Sequence, residues 1–146
     1  MASTLDPAAI IKTFRMKPNP EGGWYAESYR DDSYKESRGR SSAIYFLLTK
    51  DNSSRWHRLK DSVEIWHFYA GSPVLLQMNP DGGDVVKKRL GPNLPTGERP
   101  QVAVPAGWWQ TAESLGDWTL VGCTVTPGFD PEQFELAEIE RMITDG

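Results

Sequence analysis

The chain has 146 residues, 38% of them apolar, and carries a net charge of −4. This length and composition suit one soluble domain and leave no room for a second full core. The Lys and Arg residues form no concentrated basic surface, which excludes nucleic-acid binding, and no apolar run is long enough to span a bilayer. The single cysteine and the absence of a signal-peptide pattern at the N-terminus lead us to expect a cytoplasmic protein without disulfides.

A short helix is the first predicted element. Asp6 and Pro7 suit the N-cap and the first helical position, and apolar residues at helical spacing predict a helix over Ala8–Met16. The prolines and glycines of residues 17–23 end it. A second capping pair, Asp130 and Pro131, predicts another helix that continues to about Met142.

Between the two helices, short runs of β-branched and aromatic residues alternate with turn residues, a pattern typical of a sandwich or barrel. The predicted strands are Trp24–Arg30, Ser42–Leu48, Ser54–Leu59, Glu64–Ala70, Pro73–Asn79, Val85–Leu90, Gln101–Val104 and Trp118–Thr126.

Two motifs in these strands resemble those of a known family. His57, Glu64 and Gly71 match the first cupin motif, in which two histidines one residue apart precede a glutamate and a glycine, with Leu59 replacing the second histidine. The stretch Pro105–Gln110 resembles the second motif, a Pro-x-Gly followed by histidine, with Gln110 in the histidine position. Together with residues 21–25, 44–48 and 125–129, these motifs resemble a branch of small single-domain cupins of unassigned function, similar in fold to sugar-nucleotide epimerase cupins.

The resemblance implies an all-β fold, a double-stranded β-helix or jelly-roll cupin barrel with short N- and C-terminal helices. It implies one domain over residues 1–146, with a core of about 17–137, and a homodimer. Since one scaffold of this kind hosts many chemistries, the fold alone does not assign an activity.

Strand alternation independently predicts an interior pocket. Residues two apart on a strand share a face, so Glu64, Trp66 and Phe68 face one way. If His57 also faces inward, an imidazole and a carboxylate meet in a mostly apolar interior, where Gln110 joins them. A cavity of this character is typical of a small-molecule site.

The same residues bear on metal binding. A typical cupin site uses three histidines and a glutamate, whereas this chain has only His57 and His67, and His67 lies on the opposite strand face from Glu64. We therefore expect no cofactor and no tightly bound transition metal. His57, Glu64 and Gln110 remain as the donors of a weak divalent site completed by water, or as groups that merely hydrogen-bond one another.

Three functions follow from this pocket. The first is a metal-independent isomerase or epimerase, in which His57 is the base beside Glu64 and, as the related epimerases imply, a tyrosine is the acid. Both Tyr45 and Tyr29 are candidates for that acid; we assign Tyr45 to the catalytic set and Tyr29 to the ligand contacts. The others are a non-catalytic binding or sensor module and an enzyme with a weakly bound metal. We expect a small polar or anionic ligand, gripped by Arg30 and contacted by further pocket residues: Gln110, Trp66, Phe68 and Trp108.

Overall fold

The structure, a computed structural model, describes residues 5–33 and 38–137. Helix α1 spans Pro7–Phe14; the Asp6 side chain caps it by accepting a hydrogen bond from the Ala9 amide at 2.8 Å. The predicted helix is thus confirmed, but it ends before Met16 because Arg15 adopts the left-handed conformation, with φ of 54°. No helix in the described ranges has the length and apolar character needed to cross a membrane.

Strands make up the rest of the fold. In the described residues they are β1 (Lys17–Pro18), β2 (Trp24–Arg30), β3 (Ser42–Thr49), β4 (Ser54–Leu59), β5 (Val63–Gly71), β6 (Val74–Asn79), β7 (Val86–Leu90), β8 (Gln101–Val104), β9 (Trp109–Ser114), β10 (Trp118–Thr126) and β11 (Phe134–Leu136).

The strands form two antiparallel sheets that face each other. One has the order β1-β2-β3-β10-β5-β8 and the other β11-β4-β9-β6-β7. Inward-facing side chains of both sheets, among them Phe46, Trp66, Leu76 and Val121, form the main core. The predicted all-β barrel is confirmed.

Helix α1 lies against the outer face of the six-stranded sheet. Its buried Ile10 joins Met16, Leu47 of β3 and Leu120 of β10 in a second apolar cluster. The sheet therefore has apolar contacts on both faces, which explains why β3 reads as a nearly continuous apolar run.

The predicted C-terminal helix is wrong over its described part. Asp130 does cap a turn, accepting a hydrogen bond from the Glu132 amide, but that turn is a 3₁₀ helix over Pro131–Gln133. Strand β11 follows and pairs with β4. Phe134 and Leu136 alternate with a glutamate, which suits a strand. An Asp N-cap can begin either a single turn or a long helix, so the cap did not reveal the length of the helix. Residues 138–142 of this prediction lie outside the described residues.

Strand β9, which lies between β4 and β6, is not among the predicted strands, although the second motif predicted that Gln110 reaches the barrel interior. Its residues WQTAES contain no β-branched run, so propensity does not reveal it. The strand matters for function because it presents Gln110 to the barrel interior, opposite His57 of β4 in the ladder.

Gly71, the motif glycine, ends β5 at a turn that requires this residue. Its φ is +90°, and an added Cβ would lie 2.5 Å from the Trp118 carbonyl oxygen. Both the left-handed backbone and the close approach of β10 exclude a side chain here.

Candidate functional site

A cavity of about 470 Å³ opens between the two sheets. Strands β2, β3, β4, β5 and β10 form most of its wall, and the segments around residues 19–21 and 129–134 complete it. The apolar lining residues are Pro20, Tyr25, Ile44, Leu59, Cys123, Val125, Phe129, Pro131 and Phe134; the polar ones are Asn19, Glu21, Glu27, Arg30, Ser42, His57 and Glu64.

His57 lines this cavity with both ring nitrogens engaged. Its Nε2 lies 2.8 Å from Glu21 Oε2, and its Nδ1 lies 2.7 Å from the Arg55 carbonyl oxygen. Burial opposes the charged imidazole, but the Glu21 carboxylate outweighs it and raises the pKa of His57 to about 9. His57 therefore has no free lone pair at neutral pH.

Glu64 lies on the same wall and is also buried. Its Oε1 accepts a hydrogen bond from Gln110 Nε2 at 2.9 Å, and the Cys123 thiol also favours the ionised carboxyl. Burial and the nearby Glu21 carboxylate raise the pKa of Glu64 to about 7, although His57 acts in the opposite direction. This carboxyl therefore exchanges its proton near neutral pH.

The orientation of the Gln110 amide follows from its other neighbour. Trp66 Nε1 lies 2.8 Å from Gln110 Oε1. Because an indole N–H can only donate, the amide oxygen has to face Trp66, and the amide nitrogen then faces Glu64. The chain of hydrogen bonds from Trp66 through Gln110 fixes the position of the Glu64 carboxyl.

A second charged pair lies on the cavity wall. The Arg30 guanidinium contacts the Glu27 carboxylate, with the closest distance 3.0 Å from Nη2. Its Nη1 donates to the carbonyl oxygens of Arg38 and Phe129. Arg30 is thus placed in the cavity as the sequence indicated, but its charge is balanced by Glu27.

The structure brings together only some of the predicted site residues. His57, Glu64 and Arg30 line the cavity. Gln110 hydrogen-bonds Glu64 directly, and Trp66 is connected to Glu64 through Gln110. Four predicted site residues do not line the cavity: Tyr45, Tyr29, Phe68 and Trp108.

Tyr45 is the main correction among these. Ile44 and Phe46 point into the barrel, so Tyr45 points out, and its ring stacks on Phe14 of α1 at 4.2 Å. Tyr29 is 57% exposed. Neither ring reaches the cavity, so neither is placed to act as the acid.

Phe68 and Trp108 are corrected as well, because both pack against the main core cluster. Phe68 faces the barrel interior like Trp66, as strand alternation predicts, but it packs against the core and does not line the cavity.

Several cavity residues were not predicted. Glu21 lies beside two glycines and looks like part of a turn, yet it is buried against His57. Phe134 was hidden by the assignment of its segment to a helix, although its ring lies 5.6 Å from the His57 ring. Other unpredicted lining residues include Tyr25, Glu27 and Phe129. Tyr25 and Phe129 lie in stretches that carry the family resemblance, but nothing in those stretches identified them as cavity residues.

The donors present do not fit a cupin-type metal site. Within the described residues, no group of three or more His, Cys, Asp or Glu side chains is placed to hold a metal ion. His57 has both nitrogens occupied, Leu59 has no donor atom, and Gln110 directs its amide N–H groups, not its oxygen, at Glu64.

Comparisons with known proteins agree with this architecture. A protein of Shewanella oneidensis solved by X-ray crystallography is 36% identical, with a TM-score of 0.86 over 95% of this chain and 89% of that one. A hypothetical protein from Leishmania major is 30% identical, with a TM-score of 0.79 over 91% and 88% of the two chains.

A more distant likeness is limited to the fold. The capsular polysaccharide assembling protein CapF from Staphylococcus aureus is 13% identical, with a TM-score of 0.64 over 85% of this chain and 34% of that one. No match was found among curated proteins. The family model described as "Cupin superfamily (DUF985)" matches residues 8–137. Since the match spans most of the chain, this protein belongs to the DUF985 family of the cupin superfamily.

Proposed function

We propose that this cupin binds a small molecule in its barrel cavity and exchanges a proton with it through Glu64, without a metal. The observation that carries the proposal is a buried carboxyl on the wall of a mostly apolar cavity of about 470 Å³. That volume lies within the range of known small-molecule sites.

Glu64 suits proton transfer better than His57 does. A general base works best when its pKa lies near the working pH, and the pKa of Glu64 is raised to about 7. His57, in contrast, is held by two acceptors and has its pKa raised to about 9. His57 is therefore a positioning residue in this proposal.

The step is an isomerase-type proton exchange at a carbon next to a carbonyl group. Ionised Glu64 takes the proton from that carbon, and the C–H electron pair delocalises onto the carbonyl oxygen. Return of the proton to either face of the carbon restores the carbonyl compound, either unchanged or inverted. Gln110 keeps the carboxyl in place by donating to Oε1.

Deuterium exchange tests this proposal without knowledge of the natural substrate. Small carbonyl compounds are incubated with the protein in D₂O, and incorporation at the adjacent carbon is followed by NMR. We expect exchange with the wild type and a rate at least ~100-fold lower with Glu64→Gln. Glu113→Gln, an exposed carboxylate on β9, is the matched control and should keep the wild-type rate.

Two results would contradict the proposal. Exchange that survives in Glu64→Gln would remove Glu64 from the chemistry. Compounds that bind the cavity but are never exchanged by the wild type would instead favour a non-catalytic binding module.

A further inference from the structure

We propose that the ligand of this cavity is a small monocation, an ammonium group carried on an apolar body. The inference rests on the proposed function, because it takes the same cavity as the binding site. It departs from the polar or anionic ligand expected from the sequence.

The charges on the cavity wall lead to this conclusion. The pair formed by Glu21 and His57 is neutral overall, whether the shared proton lies on the imidazole or on the carboxyl. Arg30 and Glu27 form a second neutral pair at 3.0 Å. Within residues 5–33 and 38–137, these two pairs include every charged lining residue except Glu64.

Among the described residues, Glu64 forms no ion pair with a cationic side chain. It receives a hydrogen bond from the neutral amide of Gln110, and the neutral thiol of Cys123 also faces it. Ionisation of Glu64 therefore leaves the cavity with one uncompensated negative charge, and burying such a charge is costly. A ligand ammonium supplies the missing partner, whereas an anion meets repulsion.

The remaining wall suits the body of such a ligand. Tyr25, Phe129 and Phe134 present aromatic rings to the cavity, and the Phe129 and Phe134 rings are 6.1 Å apart in an edge-to-face arrangement. Aromatic faces attract cations as well as apolar groups. Binding a cation also favours the ionised form of Glu64.

Three probes that share one apolar body test the charge preference: 4-phenylbutylamine, 4-phenylbutanol and 4-phenylbutyrate. Their affinities for the wild type are measured by isothermal titration calorimetry near pH 7.5. We expect the amine to bind at least ~10-fold more tightly than the alcohol, and the carboxylate to bind most weakly. Glu64→Gln should bring the amine and the alcohol within ~3-fold of each other, whereas Glu113→Gln should keep the wild-type ranking.

Proton release gives a second readout. Glu64 faces Glu21, His57, Cys123 and Gln110, and the cavity wall adds Glu27 and Arg30. With the pKa of empty Glu64 at about 7, amine binding at about pH 6 should release close to one proton, and at about pH 8 almost none. The alcohol should release none at either pH.

The failures of the two proposals are distinguishable. Amine binding no tighter than alcohol binding overturns the charge inference but keeps the cavity as a binding site. Binding by none of the three probes overturns the inference together with the site itself. If Glu64→Gln fails to fold, the order of the three affinities measured with the wild type still tests the charge preference.

Discussion

The protonation of His57 is set by its neighbours and not by its residue type. An isolated imidazole in an apolar wall would lose its proton, yet the Glu21 carboxylate at 2.8 Å holds it. From the sequence, His57 looked like a base beside Glu64. Its actual partner comes from a turn 36 positions earlier in the chain, which no local spacing reveals.

This pair predicts how stability depends on pH. Because folding raises the pKa of His57 from its usual 6.5 to about 9, its contribution is complete below about pH 6.5 and is lost as the pH rises to about 9. We expect the free energy of unfolding, measured with urea between pH 6.5 and 9, to fall in the wild type and to fall less in Glu21→Gln. An equal slope in both proteins would contradict the assignment, and Glu113→Gln serves as the control.

Gln110 controls the ionisation of Glu64. Replacing it with leucine removes the N–H that stabilises the carboxylate, so the pKa of Glu64 should rise further above its usual value. The Trp66 N–H also loses its acceptor, which should lower the free energy of unfolding by ~1–3 kcal/mol. A ¹³C NMR titration of the Glu64 carboxyl measures the first effect, with Gln101→Leu on the exposed face of β8 as control. An unchanged titration in Gln110→Leu would count against the hydrogen-bond chain.

At the scale of elements, the strands that lie between clear turn signals were the easiest to predict. β2, β4, β8 and β10 have the predicted bounds because β-branched and aromatic residues lie between clear turn signals. β9 and β11 were not predicted. They lie on either side of β4 in the sheet, and they form strands because they pair with it. Such long-range pairing overrides weak local preference.

Gly71, at the end of β5, can be compared with Gly97, a second glycine with positive φ elsewhere in the chain. Gly71 and Gly97 have similar φ values, +90° and +95°, but only a Cβ at Gly71 would meet other atoms. Gly71→Ala should therefore cost ~3 kcal/mol and Gly97→Ala ~1 kcal/mol, the difference being the steric clash. Urea unfolding measures both variants. Equal costs would show that β10 can move away from the turn.

At the scale of the whole molecule, the barrel was predictable because its two motifs and its strand pattern extend over most of the chain. The same pattern indicated an interior that contains His57 and Glu64, and both do line the cavity. The charge balance of that interior was not predictable, because Glu21 and Glu27, the partners of His57 and Arg30, come from segments outside the two motifs.

Metal content is a property of the whole folded protein and can be measured directly. We expect elemental analysis of protein purified without chelators to find far less than one transition-metal ion per chain. The reason is that three of the four motif positions offer a donor that is engaged or absent, as His57, Leu59 and Gln110 show. A stoichiometric metal that survives dialysis would contradict this expectation.

The short strand β11 has a consequence for how the family can diversify. It forms part of the cavity wall through Phe134, yet only three residue pairs join it to β4 at the edge of its sheet. Substitutions there can reshape the binding space without disturbing the central strands. Relatives with the same scaffold can therefore evolve new ligand preferences by changing this peripheral segment first.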